Sequence, residues 1–387
     1  MSRLFRLADV LFAIIFACGT IRGEDVNQKG IAQWDSRLAE EQPCIVTNGV
    51  KWIDGRSLPI EGKVFDDVEH YYDRLPSNVT TNVNGGVREM KHHTTGMQFR
   101  FETDSHKLRF RWKPYFKQLA HEHMPATGVS GIDIYRYDGL LGRWCFVKNG
   151  PIFNAEKGGS KDVDWEPGTP CLVYLPLYNG LKSFSLGIDE NARISPAPAR
   201  KSGIDKPVVF YGTSITHGGC AARPGMAFVN IVGRDLDVPV VNLGFSGSGV
   251  MELEMSEHLA RIDASCYVLD CLWNMHLKEK DAPGRAVETN YEPFVRNLRA
   301  KRPDVPIVLA EKCDVFCRGK GVLDRYVQEL YERLLAEGWK DLVYLPKDGM
   351  YSGDYEGTVD GCHPTDAGML TLARAFGKAV RAALKLE

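Results

Sequence analysis

From Val208 onward, five short apolar runs alternate with five stretches of helical period. No other feature limits the fold as tightly. The runs are Val208–Tyr211, Val238–Leu243, Cys266–Leu272, Val305–Ala310 and Leu342–Leu345. The helical stretches lie near Pro224–Leu236, Glu252–Ile262, Tyr291–Lys301, Val322–Glu337 and Thr365–Leu384. Nearly unbroken apolar strands are those covered on both faces. Strand–helix alternation therefore predicts a parallel five-stranded sheet with helices on both sides. Ligands in such sheets bind beyond the carboxyl ends of the strands.

The preceding sequence has a different texture. From Glu24 to about Ala199, runs such as Met97–Glu102 and Leu108–Trp112 alternate apolar and charged residues, the period-two pattern of a half-buried strand. Further strands are expected at Gly131–Tyr135, Cys171–Leu175 and Phe184–Ile188, with breaks such as Asn82-Val-Asn-Gly-Gly86 between strands. An all-β antiparallel sandwich fits best. The Pro196–Gly203 link, rich in Pro and Ala, separates the two textures.

The N-terminus reads as an export signal. Arg3 and Arg6 precede an apolar Leu7–Gly19 stretch, which ends in the small residues Ala17 and Gly19. That stretch is short for a permanent transmembrane span. A second reading acylates Cys18 and anchors the protein through lipid. The expected parts are thus a leader over 1–23, a β-sandwich over 24–199 and an α/β domain over 200–387.

Length and composition agree. A chain of 387 residues exceeds one ordinary core. The formal net charge of -2, with both signs interspersed, shows none of the basic bias of a nucleic-acid binder. Nine cysteines remain after Cys18, scattered and odd in number, so at least one thiol stays free. Cys266 and Cys271 read as buried apolar filler. Cys313 and Cys317 lack a matching pair at zinc-site spacing.

Four stretches carry the chemistry. Each follows a predicted strand end or precedes the last helix. Ser214 comes two residues after Gly212, where an apolar strand stops; such a serine is either a nucleophile or a helix-capping residue. There is no G-x-S-x-G elbow, which argues against an ordinary α/β-hydrolase. Asp360-Gly-Cys-His363 supplies an imidazole to take the serine proton and a carboxylate to orient it, or else simply decorates a loop. Gly247, in Gly244-Phe-Ser-Gly-Ser-Gly249, can offer a bare backbone N–H to an oxyanion; the other readings are a plain turn or a phosphate-binding loop. Asn274, in Leu272-Trp-Asn-Met275, can offer a side-chain N–H or form a turn. Arg223 and His276, near these stretches, are candidate substrate contacts. His121 and His123 flank Glu122, but strand alternation would put only the histidines on one side, so no metal site is expected. Cys362, beside His363, reads as filler and not as a rival nucleophile.

Ser214, Gly247, Asn274 and His363 match, in order, the four blocks of the SGNH (GDSL-like) hydrolases, and the region from about Lys206 onward resembles that family. Gly212-Thr-Ser-Ile-Thr216 stands where G-D-S-L is usual, and Leu272-Trp-Asn-Met275 where G-x-N-D is usual. The resemblance implies a flavodoxin-like sheet and an esterase with no cofactor and no metal. It also implies an oxyanion hole from the Ser214 and Gly247 backbone N–H groups and the Asn274 amide. Gly131-Ile-Asp-Ile-Tyr135, with His123-Met-Pro125 and Leu175-Pro-Leu-Tyr178, resembles the GxDLY-type β-domain that precedes SGNH domains in exported bacterial proteins. Together these imply an exported serine esterase with Ser214, His363 and Asp360 as its triad. Its partner would be a small-molecule or polysaccharide ester, with O-acetylated carbohydrate the leading class. A lipase or acyltransferase on the same residues, and an inactive carbohydrate-binding protein, are the alternatives. The sequence leaves the oligomeric state open.

Overall fold

The computed structural model describes residues 44–278, 284–314, 319–351, 354 and 356–386. The leader, Cys18 and Cys317 lie outside them. Among the described residues no helix is long and apolar enough to cross a membrane.

The first half builds β1 (Cys44–Thr47), β2 (Val50–Asp54), β3 (Ile60–Glu61), β4 (Gln98–Thr103), β5 (Lys107–Pro114), β6 (Ile132–Asp138), β7 (Arg143–Gly150), β8 (Gly159–Asp164), β9 (Cys171–Tyr174), β10 (Leu181–Asp189) and β11 (Ile194–Pro196). They form two antiparallel sheets, ordered β1-β2-β10-β5-β8 and β11-β4-β9-β6-β7, with β3 paired to β4. Phe99 and Phe101 from one sheet and Phe110, Trp112 and Phe184 from the other share one apolar core. The period-two pattern of β4 and β5 produces this, because alternate side chains of a strand face the same way. β1, β2 and β8 carry weaker apolar alternation and were not expected from the sequence.

The second half builds β12 (Val208–Gly212), β13 (Val240–Gly244), β14 (Cys266–Asp270), β15 (Ile307–Ala310) and β16 (Leu342–Leu345). All pair in parallel, in the order β13-β12-β14-β15-β16. This is the doubly wound order, with the sequence reversing direction beside β12. Each strand divides its side chains between two cores. Val209, Tyr211, Leu243 and Leu269 face one side, packed with the helices Leu253–Ala260 and Val287–Lys301. Val208, Phe210, Val240 and Val268 face the other, packed with Phe228–Leu236 and Asp366–Leu384. Burial on both faces explains the unbroken apolar runs.

The two halves interlock. Phe65, Leu75, Val83 and Val87, between β3 and β4, pack into the core of the parallel sheet. Within the same segment, the buried Arg74 donates to the carbonyls of Asn242 (3.0 Å) and Gly244 (2.8 Å) at the end of β13. Its guanidinium also lies 4.4 Å from the Phe245 ring centre.

On the other side Asp133, fully buried in β6, accepts from Arg223 Nη1 at 2.7 Å, from the Gly225 amide at 2.8 Å and from Asn149 Nδ2 at 2.8 Å. Burial pushes its carboxyl upward, and these donors offset part of that rise. Removing one partner of a buried ion pair leaves the other uncompensated. Asp133→Ala should therefore cost about 3 kcal/mol in denaturant unfolding, while Asp133→Asn, which keeps the shape, should cost less.

Candidate active site

The site forms at the carboxyl edge of the parallel sheet. β12 ends at Gly212, Thr213 caps the next turn by accepting from the Ile215 amide, and the short helix Ser214–His217 follows. Ser214 thus sits at the first helical position, 8% exposed. The helix is tied down on all sides. Asn242 Nδ2 donates to the Thr216 carbonyl at 2.7 Å, and Thr95 Oγ1 donates to that of His217 at 2.8 Å. Thr216 Oγ1 donates to Asp270 Oδ2 at 2.7 Å at the end of β14. Burial pushes Asp270 up to about 7, against the pull of that hydrogen bond.

The far end of the chain supplies the base. Ser214 Oγ lies 2.8 Å from His363 Nε2, and His363 Nδ1 lies 2.7 Å from Asp360 Oδ2. The carboxylate accepts the Nδ1 proton, which leaves Nε2 as the acceptor facing the serine. Asp360 Oδ1 accepts from the backbone amides of Cys362 (2.9 Å) and His363 (2.7 Å), fixing the loop that carries the ring. Behind the loop Thr365 caps the last helix. Burial alone would raise the Asp360 carboxyl, but the backbone and ring hydrogen bonds from His363 and the Cys362 amide outweigh it. Together they hold the carboxyl down to about 2.

Gly247 adopts φ +63°, and a Cβ built there meets nothing within 4 Å. Glycine therefore serves this position through its backbone conformation. Asn274 ends a short 3-10 turn, Leu272–Asn274, and is 8% exposed. Its Nδ2 makes long contacts with the carbonyls of Phe245 (3.4 Å) and Gly249 (3.3 Å), so the third block is laid against the loop that holds Gly247.

Arg223 is turned elsewhere. Its guanidinium contacts Asp133 and the Tyr135 hydroxyl (2.6 Å) and lies 3.8 Å from the Phe146 ring centre, so it joins the two halves of the protein. His276 is half-buried, and its backbone bridges to Ala286. His121 and His123 stand in a turn closed by a His121–Met124 bridge, so strand alternation does not govern their directions. The His121 ring packs edge-on to Tyr178, while the His123 ring lies 5.8 Å from that of His363. Burial first, then the Asp360 charge, pushes the thiols of Cys220 and Cys362 up, to about 12 and about 11. Protonated thiols are poor nucleophiles.

Tyr178 and His217 were missed as site residues. Tyr178 donates to the Ser214 carbonyl at 3.2 Å and stacks on the buried His217 ring at 4.1 Å. His217 Nε2 in turn reaches the Leu177 carbonyl at 2.9 Å and His93 Nδ1 at 3.1 Å. Burial pushes both imidazoles well below their ordinary range, so they stay neutral. The sandwich half thus supports the serine from behind, a role for Tyr178 that the Leu175-Pro-Leu-Tyr178 motif, which marked it only as part of the β-domain, did not announce.

Comparison with known proteins fits this geometry. Residues 205–381 match the family described as GDSL-like Lipase/Acylhydrolase, and residues 50–194 match the one described as the N-terminus of Esterase_SGNH_hydro-type. Among solved structures, a GDSL-like lipase from Bacteroides ovatus is similar at 27% identity and TM-score 0.73, covering 87% of this chain and 99% of that one. The salicylyl-acyltransferase SsfX3 of a tetracycline biosynthetic pathway shares the fold at 17% identity and TM-score 0.69, covering 88% and 99%. A family two carbohydrate esterase from Clostridium thermocellum, solved with cellohexaose, shares it at 13% and 0.54, covering 75% and 93%. No curated protein matches the sequence.

The Asp360 environment gives a direct test. Its folded value lies below the usual carboxylate value of about 3.9. The stabilisation it contributes is therefore present above that value and lost as pH falls through about 2. The side-chain carboxyl carbon of Asp360, followed by NMR, should titrate with a midpoint near 2 and not near 4.

Proposed function

This chain belongs to the SGNH (GDSL-like) esterases, with a GxDLY-type domain ahead of the hydrolase domain, and from that premise we propose that Ser214 is its acyl-accepting nucleophile. The observation that carries the proposal is the unbroken relay from Ser214 Oγ to His363 Nε2 (2.8 Å) and from His363 Nδ1 to Asp360 (2.7 Å). His363 takes the hydroxyl proton as Oγ attacks the ester carbonyl, and Asp360 stabilises the imidazolium that results. Negative charge collects on the carbonyl oxygen. Backbone N–H groups of Ser214 and Gly247 and the amide of Asn274 receive it. The same imidazolium returns its proton to the leaving alcohol, and water, activated in its turn by His363, releases the acid.

The substrate class we propose is an O-acetylated carbohydrate, met outside the cytoplasm after export directed by the leader. Carbohydrate esterases that share this fold support the choice by analogy. A domain division near the Pro196–Gly203 link belongs to the same reading, with the sandwich half bracing the catalytic edge. Acyl transfer is the second reading, favoured by the similarity to SsfX3. The two differ only in whether water or another alcohol intercepts the acyl-enzyme.

Ser214→Ala should lower p-nitrophenyl acetate hydrolysis by roughly 10⁶-fold, and a variant as fast as the parent would remove Ser214 from the mechanism. Asn274→Ala should fold normally and lose roughly 10²–10³-fold in kcat. Acetate released from acetylated polysaccharides tests the substrate class. Transfer to an added sugar in preference to water would select the second reading, and binding without any release would select an inactive carbohydrate-binding protein.

A further inference from the structure

Two side chains that the proposed mechanism does not use converge on its base. One ligand atom from each of His123, Cys220 and His363 lies within 4.8 Å of the others. They come from three separate segments: the turn before β6, the loop after the Ser214 helix, and the loop before the last helix. Cys220 is 6% exposed and adopts φ +72°, a left-handed conformation that residues with a Cβ seldom take. It is held there from the nucleophile side, because the Gly219 amide donates to the Ser214 carbonyl at 2.7 Å. His123 is exposed, with its ring 5.8 Å from that of His363.

Two imidazoles and a thiol make a borderline-soft donor set. It suits zinc, cobalt or cadmium and disfavours magnesium and calcium. Around a tetrahedral zinc such donor atoms sit roughly 3.3–3.6 Å apart, so three donors that now lie within 4.8 Å of one another need to draw together by about 1 Å. Nδ1 of His363 is already held by Asp360, so the nitrogen left for a metal is Nε2, the atom that faces Ser214. An Asp360–His363–metal chain then has the carboxylate–histidine–metal arrangement that orients metal-bound imidazoles.

The geometry points to a reversible inhibitory site for a thiophilic divalent cation, built from His123, Cys220 and His363. It rests on reading Ser214 and His363 as the catalytic pair. When the cation binds, the Cys220 thiol gives its proton to solvent and the thiolate coordinates. The Nε2 lone pair passes from the serine hydroxyl to the metal, and Ser214 keeps its proton with no base to take it. Three protein donors leave a fourth position for water, so chelators can reach the ion and remove it.

The test titrates the full chain with zinc chloride while following p-nitrophenyl acetate hydrolysis, with EDTA added back, for the parent, Cys220→Ser and His123→Gln. The parent should lose at least about tenfold in rate and recover with EDTA. Both variants should keep the metal-free rate and need at least about tenfold more zinc for the same loss. In parallel, cobalt(II) should give the parent a thiolate-to-metal charge-transfer band that Cys220→Ser lacks. Equal zinc sensitivity in all three proteins, or a parent without the cobalt band, overturns the site. A cobalt band with undiminished turnover overturns the inhibition. Zinc-dependent hydrolysis by Ser214→Ala also overturns it, because the metal would then be supplying a nucleophile. If Ser214→Ala is inactive as expected and the cobalt band is missing, the metal inference alone fails and the esterase mechanism stands.

Discussion

The helix that carries Ser214 lies directly on the end of β13, and the rest of the candidate site depends on that contact. A Cβ at Gly244 would overlap the His217 amide nitrogen and α-carbon, so any other residue forces the helix off the sheet. Only when the helix is seated does Thr216 reach Asp270, does Asn242 reach the Thr216 carbonyl, and does Ser214 meet a histidine brought from 149 residues away. For a catalytic group a misplacement of about 1 Å can cost 10²-fold in rate, which is the weight this contact carries if Ser214 is the nucleophile proposed above.

The sandwich half acts on the same helix from the opposite direction. Thr95, Leu177 and Tyr178 bond to it or to the His217 ring, and Arg74 fixes the carbonyls on which β13 ends. These contacts are neutral or main-chain interactions in a water-poor setting, where a satisfied polar network rigidifies its surroundings. The sandwich half therefore braces the sheet edge that carries Ser214.

Much of this was legible in the sequence because the signals were periodic or local. Leu342–Leu345 is a strand as expected, and β12 and β15 begin or end within two residues of the apolar runs that announced them. Runs buried on both faces cannot be mistaken for half-buried strands, which also made the sheet type readable. The Asp360-x-x-His363 loop was legible because its two residues sit three apart and bond to each other directly. The Arg223 contact was not legible because its partner, Asp133, lies 90 residues earlier, in the sandwich half. Tyr178 and His217 were missed for the same reason: stacking and a hydrogen bond to a main-chain carbonyl leave no spacing rule in the sequence. The helix Ser214–His217 is a single turn, too short to show a helical period.

The segment between β3 and β4 has a consequence for how the protein is made. Phe65, Leu75, Val83 and Val87 are synthesised with the sandwich, yet their burial partners, such as Leu243, Met255 and Leu259, follow more than 150 residues later in the chain. During synthesis from the N-terminus these apolar side chains wait uncovered while the sandwich around them is already complete. The early half thus carries an unfilled adhesive surface until the parallel sheet arrives to cover it, and that interval is when the nascent chain is most open to chaperones and to aggregation.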